Sequence, residues 1–224
     1  MTIGVTATAA QPGSRAVSAM SRRIIGWAQG VQADPEVKQV ALDGINDAID
    51  RLNVEDWHQE LQGQQTIVLD STTSDALLNT DFKKPLHLER LNASGYPDGT
   101  YFFKSFKTFM REHPVATSAG TPEIYTILYD QQRLLRFNLT PTTAHIALYP
   151  SAVLYYDRYV AQVNHEDHLL LPGDFCRFIE WHGRAYFSGY KSPDKYQTSF
   201  VESERMLRKL MLKDNNTVTD WSEY

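Results

Sequence analysis

The chain has 224 residues, 42% hydrophobic and 12% aromatic, enough to bury a real core in one domain with an elaborated middle. Its formal charge of -5 argues against a dedicated DNA binder, which needs a basic face to release counterions. A single cysteine, Cys176, excludes an intramolecular disulfide and fits a reducing cytoplasm, and no stretch approaches the roughly eighteen uninterrupted apolar residues of a membrane span.

The opening residues lack a basic start and a long apolar run, so they make a poor signal peptide and read as a flexible arm over 1–18. A short helix follows from Ala19 to Gln29, with Ile24, Ile25 and Trp27 or Ala28 as packing groups and Gly30 as a stop. From Asp34 to Trp57 the apolar residues Val37, Val40, Ala41, Ile45, Ala48, Ile49 and Leu52 recur every three or four positions. Asp34 is a natural N-cap, and Pro35 stands at the first helical position, where its missing N–H costs nothing. The result is a long helix with one buried stripe and an acidic outer face of Glu36, Asp43, Asp47 and Asp50.

The pattern then changes. Gln64 to Asp70 reads as a short strand, and Pro85 to Leu91 alternates Leu86 and Leu88 against His87 and Glu89. Thr100 to His113 follows a Pro-Asp-Gly turn and predicts a helix with Phe102, Phe106, Phe109 and Met110 on one face. Glu123 to Tyr129 and Arg133 to Leu139 are two strands joined by a polar turn, and His145–Tyr149 and Val153–Val163 continue an antiparallel pattern. Leu171 to Asp174 supplies a stop and an N-cap, after which Phe175, Phe178, Ile179, Ala185 and Tyr186 form a second stripe. A break at Ser192-Pro193-Asp194 starts a last helix to Lys213, with Tyr196, Phe200, Leu207, Leu210 and Met211 inward and Arg205, Arg208, Lys209 and Lys213 toward its favourable end for cations.

The predicted fold class is α+β: a helical bundle from N- and C-terminal helix pairs (19–62 and 170–213) with an inserted antiparallel β region (63–169) carrying one helix. Residues 214–224 form a C-terminal tail too poor in apolar area to order alone. Within it Val218, Trp221 and Tyr224 are the candidate partner-binding residues, because large aromatics on a terminal segment commonly fill a partner's pocket. Val218 would add a strand to an exposed edge.

Chemistry finds no foothold. There is no Walker loop, no dinucleotide fingerprint, no nucleophile elbow and no Cys-x-x-Cys. His165-Glu166-Asp167-His168 is the best metal candidate, but it reads as a solvated loop ahead of Leu169-Leu170-Leu171. Cys176 and His182, six apart on one helix, face different directions. Tyr155-Tyr156-Asp157-Arg158-Tyr159 could stack bases, yet alternating aromatics on a half-buried strand explain it more simply. The expectation is no enzymatic activity, no metal and no cofactor.

The order of parts resembles the head-to-tail adaptor (head completion) proteins of tailed bacteriophages, including tail tubular protein A of short-tailed phages. The residues carrying the likeness are Ala41 to Leu52 as the long helix, Gln65 to Asp70 as the first strand, Thr121-Pro-Glu-Ile-Tyr before a hairpin, Leu135 to Thr142, and Tyr155 to Tyr159. The closing helix pair, broken at Ser192-Pro193-Asp194, matches the family's last helices. The likeness covers about Ser21 to Asn215, and the aromatic-rich segment from Asp81 to Pro114 departs from it. It implies a structural virion protein of the neck, assembled in the host cytoplasm as a ring of twelve subunits. That ring joins the portal protein to a tail or nozzle protein and lets DNA through its lumen without specific binding. An acidic lumen suits that role because it repels phosphate. A different class, a nucleic-acid-handling module of a phage or bacterium using the tyrosines and the basic last helix, predicts salt-sensitive DNA binding instead.

Overall fold

The computed structural model describes residues 6–7, 15–28, 34–55, 57, 61–114, 118–129 and 132–218. The chain begins with strands β1 (Thr6–Ala7) and β2 (Arg15–Ala16) and helices α1 (Val17–Trp27) and α2 (Pro35–Val54). It continues through β3 (Gln62–Val68), β4 (Asp75–Leu77), β5 (Phe82–Leu91), β6 (Pro97–Phe103), α3 (Phe106–Glu112), β7 (Ala119–Gly120), β8 (Ile124–Tyr129), β9 (Arg133–Phe137), β10 (Thr140–Pro141), α4 (Thr143–Leu148) and β11 (Ser151–Arg158). It closes with β12 (His168–Leu169), α5 (Gly173–Lys191) and α6 (Pro193–Val218). Two compact units result: a contiguous β unit, Leu61–Tyr159, and a helical unit drawn from the chain before and after it.

In the helical unit, Asp34 Oδ1 accepts the Glu36 N–H at 2.9 Å and Pro35 opens α2. Val37, Ala41, Ile45, Ala48, Ile49 and Leu52 are all buried, as the 3.6-residue period requires. α2 meets α5 at paired glycines. A Cβ on Gly44 would stand 3.2 Å from Gly183 Cα, a tight fit between the two helices, and one on Gly183 would meet Ile24 Cδ1 of α1 at 2.6 Å. Asn46 and Asn53, two turns apart on α2, serve the backbone of 160–163 as a strand would. Asn53 donates to Val160 O at 2.9 Å and accepts from Val160 N at 2.8 Å, and Asn46 does the same for Val163 at 3.1 and 2.9 Å. Trp57 is buried edge-on against Phe175, ring centroids 4.9 Å apart, with its indole N–H on Leu52 O. β12 sits between β1 and β2 in a small antiparallel sheet.

The β unit is one seven-stranded sheet in the order β3-β11-β5-β6-β8-β9-β4. All pairings are antiparallel except β6 with β8, where Phe102 and Phe103 run alongside Ile124 and Tyr125 in the same direction. The two edge strands are tied by one side chain: Gln65 Nε2 donates to Leu77 O at 2.8 Å and Gln65 Oε1 accepts from Asn79 N at 2.9 Å. The nearly closed sheet encloses its own core, including Phe82, Leu88, Tyr101, Tyr125, Leu135, Leu154 and Tyr156. Tyr156 donates to Asp81 Oδ1 at 2.9 Å and accepts from Asn79 at 3.0 Å. Its ring fills the space beside Gly63, where a Cβ would lie 2.6 Å from Cζ.

This architecture corrects the expected helical bundle with an inserted antiparallel β region. The sheet is large, mixed and nearly closed, with a core of its own, and six helices occur among the described residues. The parallel pair arises because the connection from Phe103 to Ile124 is long enough to carry the chain back to the starting end. The predicted helix Thr100–His113 is split. Its first part is the end of β6, because Tyr101 points into the core and Phe102 away from it, and only Phe106–Glu112 is helical. His145–Tyr149 is not a strand: Thr142 Oγ1 accepts from His145 N at 3.2 Å and caps α4 instead. The strand expected over Val153–Val163 ends at Arg158.

Candidate functional site

The residues singled out for chemistry do not assemble. His165 and Glu166 occupy a turn and His168 begins β12, and among the described residues no group of three or more His, Cys, Asp or Glu could hold a metal ion. Cys176 is buried, its Sγ 3.6 Å from Leu171 O, and burial pushes its thiol pKa up; His182 turns away to meet Asp47 Oδ2 at 2.7 Å. In the tyrosine run, Tyr156 points into the core while Tyr155 points out and stacks on His87, centroids 4.4 Å apart. One polar pair missed in the sequence is Tyr101 with His145, Oη to Nε2 3.2 Å. Burial pushes the Tyr101 phenol up to about 12, and burial with the nearby Arg90 charge lowers the His145 pKa, so both are held neutral at only 4% exposure. This pair packs the interior and offers nothing to a substrate.

Exposed aromatic surface tells more. α3 packs against β8, and its Phe109 is fully buried. The other aromatics of the segment stay in water: Phe102 is 65% exposed and Phe106 53%, and Tyr129 at the end of β8 is 63% exposed. Phe106 and Met110 with Ile127, Leu128, Tyr129 and Arg136 line an open apolar depression. Arg136 is a charged member of its lining, and further charges of the β unit are paired. Arg136 forks onto Asp75, Nε to Oδ1 2.6 Å and Nη2 to Oδ2 2.5 Å, and Lys104 bonds Glu112 at 2.5 Å, which holds that carboxyl below its usual range. An open depression of exposed aromatics with a paired arginine suits a protein–protein contact surface. The sequence places Phe102, Phe106, Phe109 and Met110 on one helical face; in the structure Phe109 alone of the four is fully buried.

Of the candidate partner-binding residues, Val218 is the last described position, where the backbone is helical; Trp221 and Tyr224 lie outside the described residues. α6 therefore continues five residues past the expected end at Lys213. No protein-family model matches the chain, and no curated protein matches it.

Proposed function

We propose that this protein is a structural virion component, an adaptor subunit whose twelve-membered ring joins the portal to the tail and forms part of the DNA channel. The observation that carries the reading is the open apolar depression lined by Phe106, Met110, Leu128 and Tyr129, a surface that a subunit of an assembly covers with a neighbouring protein. The tail or nozzle protein is its occupant in this reading. The order of sequence segments supports the same role, as does a charge of -5, which lets DNA slide through a lumen without being held. The portal is contacted by the end of the chain, through Val218, Trp221 and Tyr224.

The test is a mass measurement with electron micrographs of the purified protein, alone and with portal. A ring seated on the portal is expected, and a chain that never associates with portal refutes the proposal. Removing residues 218–224 should leave thermal unfolding unchanged and weaken portal attachment; undiminished attachment would remove the chain end from the contact.

A further inference from the structure

The helical unit carries two opposite charge patterns, the acidic one without a lysine or arginine partner and the basic one only partly paired. On α2, Glu36, Asp43, Asp47 and Asp50 follow one another at three- to seven-residue steps along the outer face. Each carboxylate is oriented by a side chain that is neither lysine nor arginine: Tyr190 Oη on Glu36, Gln39 Nε2 on Asp43 at 2.8 Å, His182 Nε2 on Asp47 at 2.7 Å and Gln162 Nε2 on Asp50 at 3.0 Å. None of the four meets a lysine or arginine among the described residues. Tyr186 and Tyr190 stand beside them, 42% and 47% exposed.

The second pattern is basic. Two adjoining depressions share Arg177 and Met206, and between them they are lined by Arg15, Arg23, Lys209 and Lys213 from separate segments of the chain. Lys213 pairs with Asp174 at 3.9 Å, and Glu180 is occupied by Arg23 and Arg184 at 3.2 and 2.6 Å. Arg15, Arg177 and Lys209 have no acidic partner among the described residues. Trp181, with Arg184 4.5 Å over its ring, and Met206 supply an apolar floor.

The two patterns use different sides of one helix. His182, Tyr186 and Tyr190 follow at four-residue steps on the side of α5 that reaches the acidic stripe, whereas Arg177, Trp181 and Arg184 lie about half a turn around it. We infer that the acidic stripe of α2 in one copy docks into the Arg177–Lys209 groove of the next copy. Two complementary, non-overlapping surfaces on one unit generate a heterologous, head-to-tail contact, not a two-fold one. Tyr186 and Tyr190 then meet the Trp181–Met206 floor, giving the charged contact an apolar centre. The net charge of -5 favours a second copy over nucleic acid as the groove's occupant. The inference deepens the ring reading and rests on it for closure of the chain of copies.

The test is charge exchange in the full chain. One variant carries Asp43→Lys with Asp50→Lys, the other Arg177→Glu with Lys209→Glu, and self-association is read by sedimentation velocity and micrographs at low and high salt. Each variant alone should associate at least about tenfold more weakly than the unaltered protein. Their equimolar mixture should recover association, since every contact in alternating order again pairs opposite charges. Recovery also shows that both variants fold; the milder Asp43→Asn with Asp50→Asn should show a smaller, salt-dependent loss. Variants that associate like the unaltered protein would overturn the inference and leave the ring reading standing. Open, charge-dependent filaments that never close would support the inference and overturn the ring. An unaltered chain that stays monomeric alone and on portal overturns both. Loss of duplex DNA binding in the groove variant, with association unchanged, makes the groove a phosphate site and also overturns the inference.

Discussion

Ile49→Ala isolates what holds the helical unit together. Ile49 is fully buried on α2 beside Ile45, Ala48 and Leu52, which are buried to the same degree. The substitution removes three carbons, worth about 2.4 kcal/mol at roughly 0.8 kcal/mol each, and leaves a cavity that the surrounding helices fill only in part. A loss of about 3–4 kcal/mol follows, inside the range of about 2–5 for such changes. The tryptophans among the described residues, Trp27, Trp57 and Trp181, all belong to the helical unit, and none belongs to the β unit, so tryptophan fluorescence during urea unfolding reports on the helical unit. With a urea slope of about 2 kcal/mol/M, the midpoint should fall by about 1.5–2 M. Asp47→Ala, two positions and just over half a turn away on the same helix, is the control. Its side chain is 53% exposed and keeps only the His182 contact, so the midpoint should move by no more than the equivalent of about 0.5 kcal/mol. Equal losses at the two positions would mean that the buried stripe has been assigned to the wrong face of the helix.

Other expectations concern the β unit. Gly63→Ala puts a Cβ into the Tyr156 ring and should cost about 1–3 kcal/mol, seen as faster hydrogen exchange along 62–68; unchanged exchange would mean the ring is not packed there. Phe106→Asp should leave thermal unfolding within about 0.5 kcal/mol of the unaltered protein while abolishing attachment of the tail partner, and intact attachment would remove this surface from the proposed contact. Burial raises the Tyr101 and Tyr156 phenols from 10.0 to about 12 in the folded state. Their neutral forms are favoured by folding, so that contribution is complete below pH 10 and is lost as pH rises from 10 through about 12. Circular dichroism with tyrosine absorbance should show ionisation and unfolding together, and phenols that all titrate near 10 in an intact fold would contradict the burial.

What the sequence discloses depends on how local the cause is. The Asp34–Pro35 start and the spacing from Val37 to Leu52 act within one helix, so α2 is legible from its own residues. The sheet's closure depends on Gln65 reaching Leu77 and Asn79, and its strand order on pairings between distant segments, neither of which leaves a local pattern. In Thr100–Phe106 the crowded aromatics satisfy a period of two as well as one of 3.6. Pairing of β6 with β5 and β8 decides between them. The aromatic residues of the contact surface are visible in the sequence, but which of them the core takes is not. The acidic stripe is legible because it runs along one helix. The basic groove escapes because Arg15, Arg177 and Lys209 come from three separate segments.

The helical unit is discontinuous, and this sets an order of events during synthesis. The β unit is one uninterrupted span and can close as soon as Arg158 has left the ribosome. α1 and α2 emerge first but find their main partner, α5, only after more than a hundred further residues have been made. Until then Val37, Ile45, Ile49 and Leu52 have no α5 to bury them, so the nascent chain carries a sticky helix through most of its translation. Chaperone capture of that helix would shield its apolar stripe until α5, beginning at Gly173, is available to cover it.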